Sequence, residues 1–254
     1  MNCVPMTSCD VTEDGFLGGR LRLRQPRTGH RAGHDAVLLA AVTAARAAQR
    51  VVDFGAGVGA AGLALASRVS GLDLVLVEID PRLAALAREN AALNRIAARV
   101  EVLDVTSTSE AYAKSGLPAD SVDIVLMNPP FNDAVRHRTS PDAARALAHA
   151  AGEGTLDGWI HAARRILKSG GVLTLIWRAD GITEVLAGLE RGFGSLEILP
   201  VHGEAGKPAI RILVRAVKGG RAQVRIYPGL MLNDGSAVPN QLAADVLAGK
   251  GVLL

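Results

Sequence analysis

From residue 50 to about residue 177 the chain alternates short β-rich runs with Ala/Leu-rich helical patterns, and this alternation limits the fold more than any other feature. Strands separated by a helix pair in parallel through a crossover, so repeated units give a parallel sheet covered on both faces. Arg50 to Phe54 reads as the first strand, followed by a glycine loop and a helix through about Val69. Leu72 to Val77 is a second strand, and Pro81 to Asn94 a helix opened by a proline in its first turn. Arg99 to Leu103 and Ser121 to Met127 are the third and fourth strands. A helix from about Leu156 to Lys168 ends at Ser169-Gly170-Gly171, and Val172 to Trp177 is the fifth strand. Ser195 to Val201 and Ala209 to Val217 follow, joined by Gly203 to Pro208. No helix fits between those two runs, so they pair antiparallel.

Five parallel strands closed by an antiparallel hairpin, with helices on both faces, resemble the α/β sheet of Rossmann-like methyltransferases rather than that of NAD dehydrogenases. Residues 1–49 read as an N-terminal extension, with a short basic strand and a helix near Asp35 to Ala48, packing on the core. Residues 50–217 are the core and 218–254 a tail rich in Gly and Pro. The 254 residues fit one large α/β domain, and 49% of them are apolar, ample for a sizeable core. A net charge of +3 is compatible with nucleic acid without requiring it. The 23 Arg against 5 Lys, in a chain crowded with Ala and Gly, read in part as a genome-wide bias. Cys3 and Cys9 lack metal-ligand spacing, so neither a metal site nor a disulfide framework is expected, and a reducing cytoplasm is the default. No apolar stretch is long enough to span a bilayer, and the first residues lack a signal pattern, so no membrane is expected.

Asn128-Pro129-Pro130-Phe131 follows the apolar run Val122 to Met127 directly. Two prolines end the ladder and send the backbone out of the sheet in one stiff, extended direction. The Asn128 side-chain carbonyl and the Pro129 backbone carbonyl are then presented side by side, with an aromatic ring next to them. Two acceptors beside a flat ring suit the NH2 of a planar amine or amide. Gripping both N–H bonds turns that nitrogen toward an electrophile while Phe131 stacks on the rest of the group. The alternative is a strand-ending turn with a core Phe, and aromatics are scarce here at 3%.

Asp53-Phe54-Gly55-Ala56-Gly57-Val58-Gly59 caps the first strand and opens a helix. Its glycines allow a tight turn and a close approach of ligand to backbone. Asp53 sits where a carboxylate can attract a ligand ammonium. Glu78 ends the second strand, where an acid holds two ribose hydroxyls, and Asp104 follows the third, where it could accept from an adenine amino group. Those three carboxylates are spaced for the amino-acid, ribose and base ends of S-adenosylmethionine. Gly57-Val58-Gly59-Ala60-Ala61-Gly62 also matches the dinucleotide fingerprint, so NAD is the rival ligand, and Glu78 and Asp104 as solvated strand ends are the rival to any site. The glycine loop ends strand one and the Asn-Pro-Pro-Phe loop ends strand four. In such a sheet these strands are neighbours where strand order reverses, so both loops face one crevice.

With both loops in place, the chain resembles class I amino-methyltransferases, which modify exocyclic or amide nitrogens. More closely, it is similar to the bacterial tRNA1(Val) adenine-N6 methyltransferase family, which acts at adenine 37 beside the anticodon. That similarity rests on Gln25 to Ala40, a motif of Gln, Gly, Arg and Asp before a Leu-Leu helix, and on Glu89-Asn90-Ala91-Ala92-Leu93-Asn94. It covers most of residues 15 to 240. His30 departs from the commoner aromatic residue, and the stretch from Tyr227 onward has no match. The resemblance implies S-adenosylmethionine as donor, an RNA partner, specifically tRNA, and Asp35 beside the donor pocket; the alternative for Asp35 is an ordinary helix N-cap with His34 and Asp35 in the first turn. Arg20, Arg22, Arg24, Arg27 and Arg31 form a basic strand face for phosphate contacts, or else an ordinary solvated face. Arg136 and Arg138 follow the catalytic loop and are better placed to meet a substrate backbone. An rRNA guanine-N2 enzyme and a protein glutamine methyltransferase share the same catalytic loop and stay open as alternatives. A homodimer through the apolar N-terminal helix is a further expectation.

Overall fold

A computed structural model describes residues 10–29, 31–130, 155–233 and 240–253. The β-rich runs form β3 (Arg50–Phe54), β4 (Asp73–Glu78), β5 (Ala98–Val102), β6 (Val122–Met127) and β7 (Leu167–Arg178), all mutually parallel. The crossovers carry α2 (Ala60–Arg68), α3 (Pro81–Leu93), α4 (Ser109–Lys114) and α5 (Thr155–Ile166). After α6 (Ile182–Leu189) come β8 (Phe193–Glu204) and β9 (Ala209–Lys218), an antiparallel hairpin in which β9 inserts beside β7. Among the described residues the sheet has nine strands, with the order β8-β9-β7-β6-β3-β4-β5 along its main body. Strand order reverses between β3 and β6.

Side chains alternate across the sheet, so each strand feeds two cores. In β3, Val51 faces the cluster under α1 (His34–Val42), α2 and α3, while Val52 and Phe54 face the cluster under α4, α5 and α6. Residues Ala36 to Val42 of α1 are all buried against α2, the sheet and the C-terminal α7 (Gln241–Leu247). The apolar surface expected to serve a homodimer is therefore covered within the chain.

Two helix ends differ from expectation, and strands are added at both ends of the chain. Helix α1 stops at Val42, not Ala48, because Thr43 turns extended and the Arg68 guanidinium caps the helix end, donating to the Ala40 and Thr43 carbonyls (2.9 and 2.7 Å). Helix α5 stops at Ile166, and Ser169-Gly170-Gly171 lies inside β7, where register with β6 shifts. An additional strand, β1 (Val11–Phe16), pairs antiparallel with β2 (Leu21–Pro26). The alternation Arg20 to Arg24 is the half-buried strand expected, with Leu21 and Leu23 in the core. The tail also adds to the sheet: β10 (Arg225–Ile226) and β11 (Leu230–Asn233) both pair parallel with β8. Buried Glu197 holds β10 there, bonded by Arg215 (2.7 Å), Arg225 and the Tyr227 hydroxyl (3.1 Å).

Candidate active site

The loop after β3 turns on three glycines in the left-handed region, Gly55 (φ 64°), Gly57 (φ 56°) and Gly59 (φ 88°). Only glycine takes that conformation cheaply, and at Gly55 a Cβ would also collide with the Trp159 ring from α5. Trp159 in turn meets Phe54 edge to face, at 6.4 Å between centroids. The chain's own side chains hold this loop. The Gly62 N–H donates to Asp53 (2.8 Å), and the Gly57 N–H donates to Glu78 (2.7 Å). The second Glu78 oxygen accepts the Asp80 N–H (2.8 Å).

A cleft of about 270 Å³ opens beside the loop. Its walls are residues 31–36, Asp53, Gly55 to Val58, Ala60, Ala61, Leu83 and Asn128. Phe54 and Met127 are partners in adjacent parallel strands, so Gly55 and Asn128 leave the sheet side by side. The Asn128 Oδ1 atom is buried with no hydrogen-bond partner among the described residues. A buried acceptor left unpaired costs about 1–3 kcal/mol, and an N–H of a bound molecule would remove that cost. Asp53 is 3% exposed. Burial pushes its carboxyl up to about 7, against the pull of the Gly62 N–H and with a further push from the Glu78 charge.

Of the residues expected at the donor site, Asp53, Gly55, Gly57 and Asp35 line the cleft, as does Asn128. Gly33 is the N-cap of α1, and His34 and Asp35 lie in its first turn; Asp35 accepts from Arg211 of β9 (3.0 Å). Gly59 is the N-cap of α2, behind the cleft wall. Glu78 is no solvated strand end, being 6% exposed, but its oxygens face the loop amides and it does not line the cleft. Asp104 also lies off the cleft, exposed, accepting from the Thr106 N–H and hydroxyl (2.7 Å each). Pro129 is buried and Pro130 exposed. Phe131, Arg136 and Arg138 lie outside the described residues.

The basic strand face is largely neutralised by acids that Gly18 to His34 itself lacks. Arg22 and Arg24 both bond Glu13 of β1, Arg24 also bonds Glu89 of α3 (3.0 Å), and Arg31 bonds Asp14 (2.5 Å). Arg20 donates to the Gly249 carbonyl (2.7 Å). Arg27 sits just past β2, its N–H on the Asp10 carbonyl (2.8 Å). Sequence reasoning did not foresee Trp159, Leu83, His34 or Arg211 at the site. His34 beside Asp35 at a helix start was visible as a pair, but Arg211 lies 176 residues away from its partner.

A parallel sheet with this strand order, a glycine loop on β3 and an acceptor-bearing Asn-Pro-Pro turn on the neighbouring β6 defines a class I methyltransferase. The chain belongs to the methyltransferase small domain family, whose model matches residues 33–204. It is 30% identical over 207 residues to the tRNA1(Val) (adenine(37)-N6)-methyltransferase of Aeromonas hydrophila, covering 81% of this chain and 84% of that one. A protein of the same name from Yersinia enterocolitica is 29% identical over 79% of this chain and 78% of its own. Among solved structures, a predicted O-methyltransferase from Agrobacterium tumefaciens is 33% identical with a TM-score of 0.71, over 86% of this chain and 98% of that one. A T. thermophilus 16S rRNA N2 guanine methyltransferase, solved with AdoMet and guanosine, shares the fold at 21% identity and a TM-score of 0.56, over 82% of this chain and 50% of its own. The methyl donor is S-adenosylmethionine, and the glycine-lined cleft with a buried carboxylate and an unpaired acceptor fits it. No helix among the described residues is long and apolar enough to cross a membrane.

Proposed function

We propose that the enzyme methylates N6 of an adenine in tRNA, at position 37 of the anticodon loop. The observation that carries this reading is the buried Asn128 Oδ1 at the wall of the donor cleft, unpartnered among the described residues. An exocyclic amine needs acceptors for its two N–H bonds, and Asn128 with the Pro129 carbonyl supplies both, while Pro130 stiffens the turn and Phe131 stacks on the base. The donor supplies an electrophilic methyl on a sulfonium. Asp53 faces its ammonium, Gly55, Gly57 and Gly59 let it approach the backbone, and Asp35 closes the cleft wall. The ribose and base ends reach past the cleft lining toward Glu78 and Asp104, Glu78 keeping an oxygen lone pair left over from the loop amides.

Asn128 and Pro129 hold the nitrogen so that its lone pair points along the line of the breaking C–S bond. Alignment and exclusion of water then provide most of the rate. As the N–C bond forms, the nitrogen becomes acidic and loses one proton to solvent, so no strong base is needed. An anticodon-loop base is already unpaired, which keeps its extrusion cheap. The names of the relatives support tRNA adenine over rRNA guanine or protein glutamine. Arg20, Arg22, Arg24 and Arg31 hold internal partners, so phosphate contact falls first to Arg136 and Arg138.

The test is transfer of labelled methyl from S-adenosylmethionine to unmodified total extract, with the product split by ribonuclease and by protease. N6-methyladenosine in tRNA-sized material is the expected product. N2-methylguanosine in rRNA moves the enzyme to the neighbouring activity, and protease-sensitive label removes RNA as the substrate.

A further inference from the structure

Asn90 on α3 and Asn94 at its C-cap, one turn apart, pair with the outer edge of β2 as a neighbouring strand would. The Arg24 N–H donates to Asn90 Oδ1 (2.7 Å), and Asn90 Nδ2 donates back to the Arg24 carbonyl (3.0 Å). One pair along, the Arg22 N–H donates to Asn94 Oδ1 (2.9 Å), and Asn94 Nδ2 returns to the Arg22 carbonyl (2.7 Å). The i, i+4 spacing on a helix thus matches the i, i+2 spacing on a strand edge. The two asparagines differ in one respect. Asn94 gives its second N–H to its own helix, at the Asn90 carbonyl (2.8 Å), whereas Asn90, 0% exposed, gives its second to the Val58 carbonyl in the glycine loop (3.0 Å).

That bond fixes a peptide unit of the donor site. The Gly59 N–H is already held by the Ala56 carbonyl (2.8 Å), so the Val58–Gly59 peptide is pinned at both ends. Gly59 is the one residue type that would let this peptide flip if the Asn90 end were freed. Beyond β2, the chain runs straight into the opposite cleft wall. The Gln25 side chain accepts the Ala32 N–H (2.8 Å), and Arg31 is held by Thr12 and the Pro26 carbonyl (2.9 Å each) and by Asp14. One buried carboxamide therefore joins the glycine loop to the hairpin that carries residues 31–36, the two walls of one cleft.

We infer that Asn90 is a positioning residue for the methyl donor, coupling the N-terminal hairpin to the glycine loop so that the two walls close on the donor together. This rests on the donor cleft and is independent of which nucleotide accepts the methyl group. The experiment compares Asn90→Ala with Asn94→Ala in the full chain, by calorimetric binding of S-adenosylmethionine. Asn90→Ala should weaken the donor about tenfold or more while kcat at saturating donor stays within about threefold. Asn94→Ala, which loosens the same strand without touching the loop, should change the affinity by less than about threefold. An Asn90→Ala loss no greater than that of Asn94→Ala overturns the coupling. Should Asn90→Ala fail to fold, hydrogen exchange on the wild-type protein decides. Added S-adenosylmethionine should slow the amides of residues 21–25, including the Arg22 and Arg24 N–H groups that end on the asparagines. Donor binding with unchanged exchange there overturns the coupling alone, whereas no donor binding at all overturns the cleft assignment with it.

Discussion

The two halves of the cleft are built in opposite ways. On the donor half three buried polar groups already have protein partners: Asp53 on Gly62, Glu78 on Gly57 and Asp80, Asn90 on Val58 and Arg24. On the acceptor half, Asn128 Oδ1 is buried and has none among the described residues. A loop whose bonds are made before the ligand arrives loses little freedom on binding, and its affinity comes from shape and field. An unpaired acceptor is a standing cost that only the right N–H removes, so it selects the group that enters. Rigidity on one side and an unmet demand on the other suit a reaction that needs a fixed methyl and a chosen nitrogen.

The sharpest way to break this contrast is Asn128→Ala. Turnover should fall by about 100-fold or more, since misplacing the nucleophile alone costs that much, while donor affinity measured by calorimetry stays within about threefold. A parallel loss of donor binding would make Asn128 part of the donor wall and erase the distinction. On the donor side, Gly55→Ala forces a side chain into the left-handed region and onto Trp159. It should cost about 2–3 kcal/mol of stability in urea unfolding and weaken the donor as well. Full stability in that variant would mean the loop is looser than its bonds suggest.

The smallest expected effect sharpens the account of Asp53. Its folded-state pKa is raised, so between the unfolded value of 3.8 and about 7 the native state holds a proton that the unfolded chain has released. Stability contributed by this group therefore falls as pH rises through that window, by on the order of 1–2 kcal/mol from pH 5.5 to 7.5. Asp53→Asn keeps the acceptor for Gly62 and removes the ionisation. Measured by urea unfolding, the variant should gain on the wild type as pH rises, and parallel profiles would place the charge of Asp53 in a better-solvated setting.

Much of the fold was legible because it depends on local periodicity. Strand alternation from Arg50 to Trp177 and the short link from Gly203 to Pro208 require a parallel sheet and a closing hairpin whatever the partners are, and the observed pairing follows. The neighbouring placement of Gly55 and Asn128 was legible too, because in a sheet of this fold the first and fourth of these strands are neighbours where strand order reverses. The N-terminal strand β1 was not. Val11 to Phe16 includes Asp14 and Gly15, and its strand state is imposed by β2 rather than by its own pattern.

The glycine spacing, the acid at each strand end and the Asn-Pro-Pro turn are properties of residues close together in the chain, and from them the sequence alone determined a donor loop and an acceptor turn facing one crevice. Tertiary structure alone decided which charges cancel and which side chains hold the loop. Arg22 and Arg24 meet Glu13 and Glu89, Glu78 turns to the loop amides, and Asn90 reaches across 66 residues to Arg24. The reason is physical. A side chain's hydrogen bonds go to whichever partner packing brings within about 3 Å, and for groups on separate elements that distance is set by how the elements dock, which no local pattern encodes.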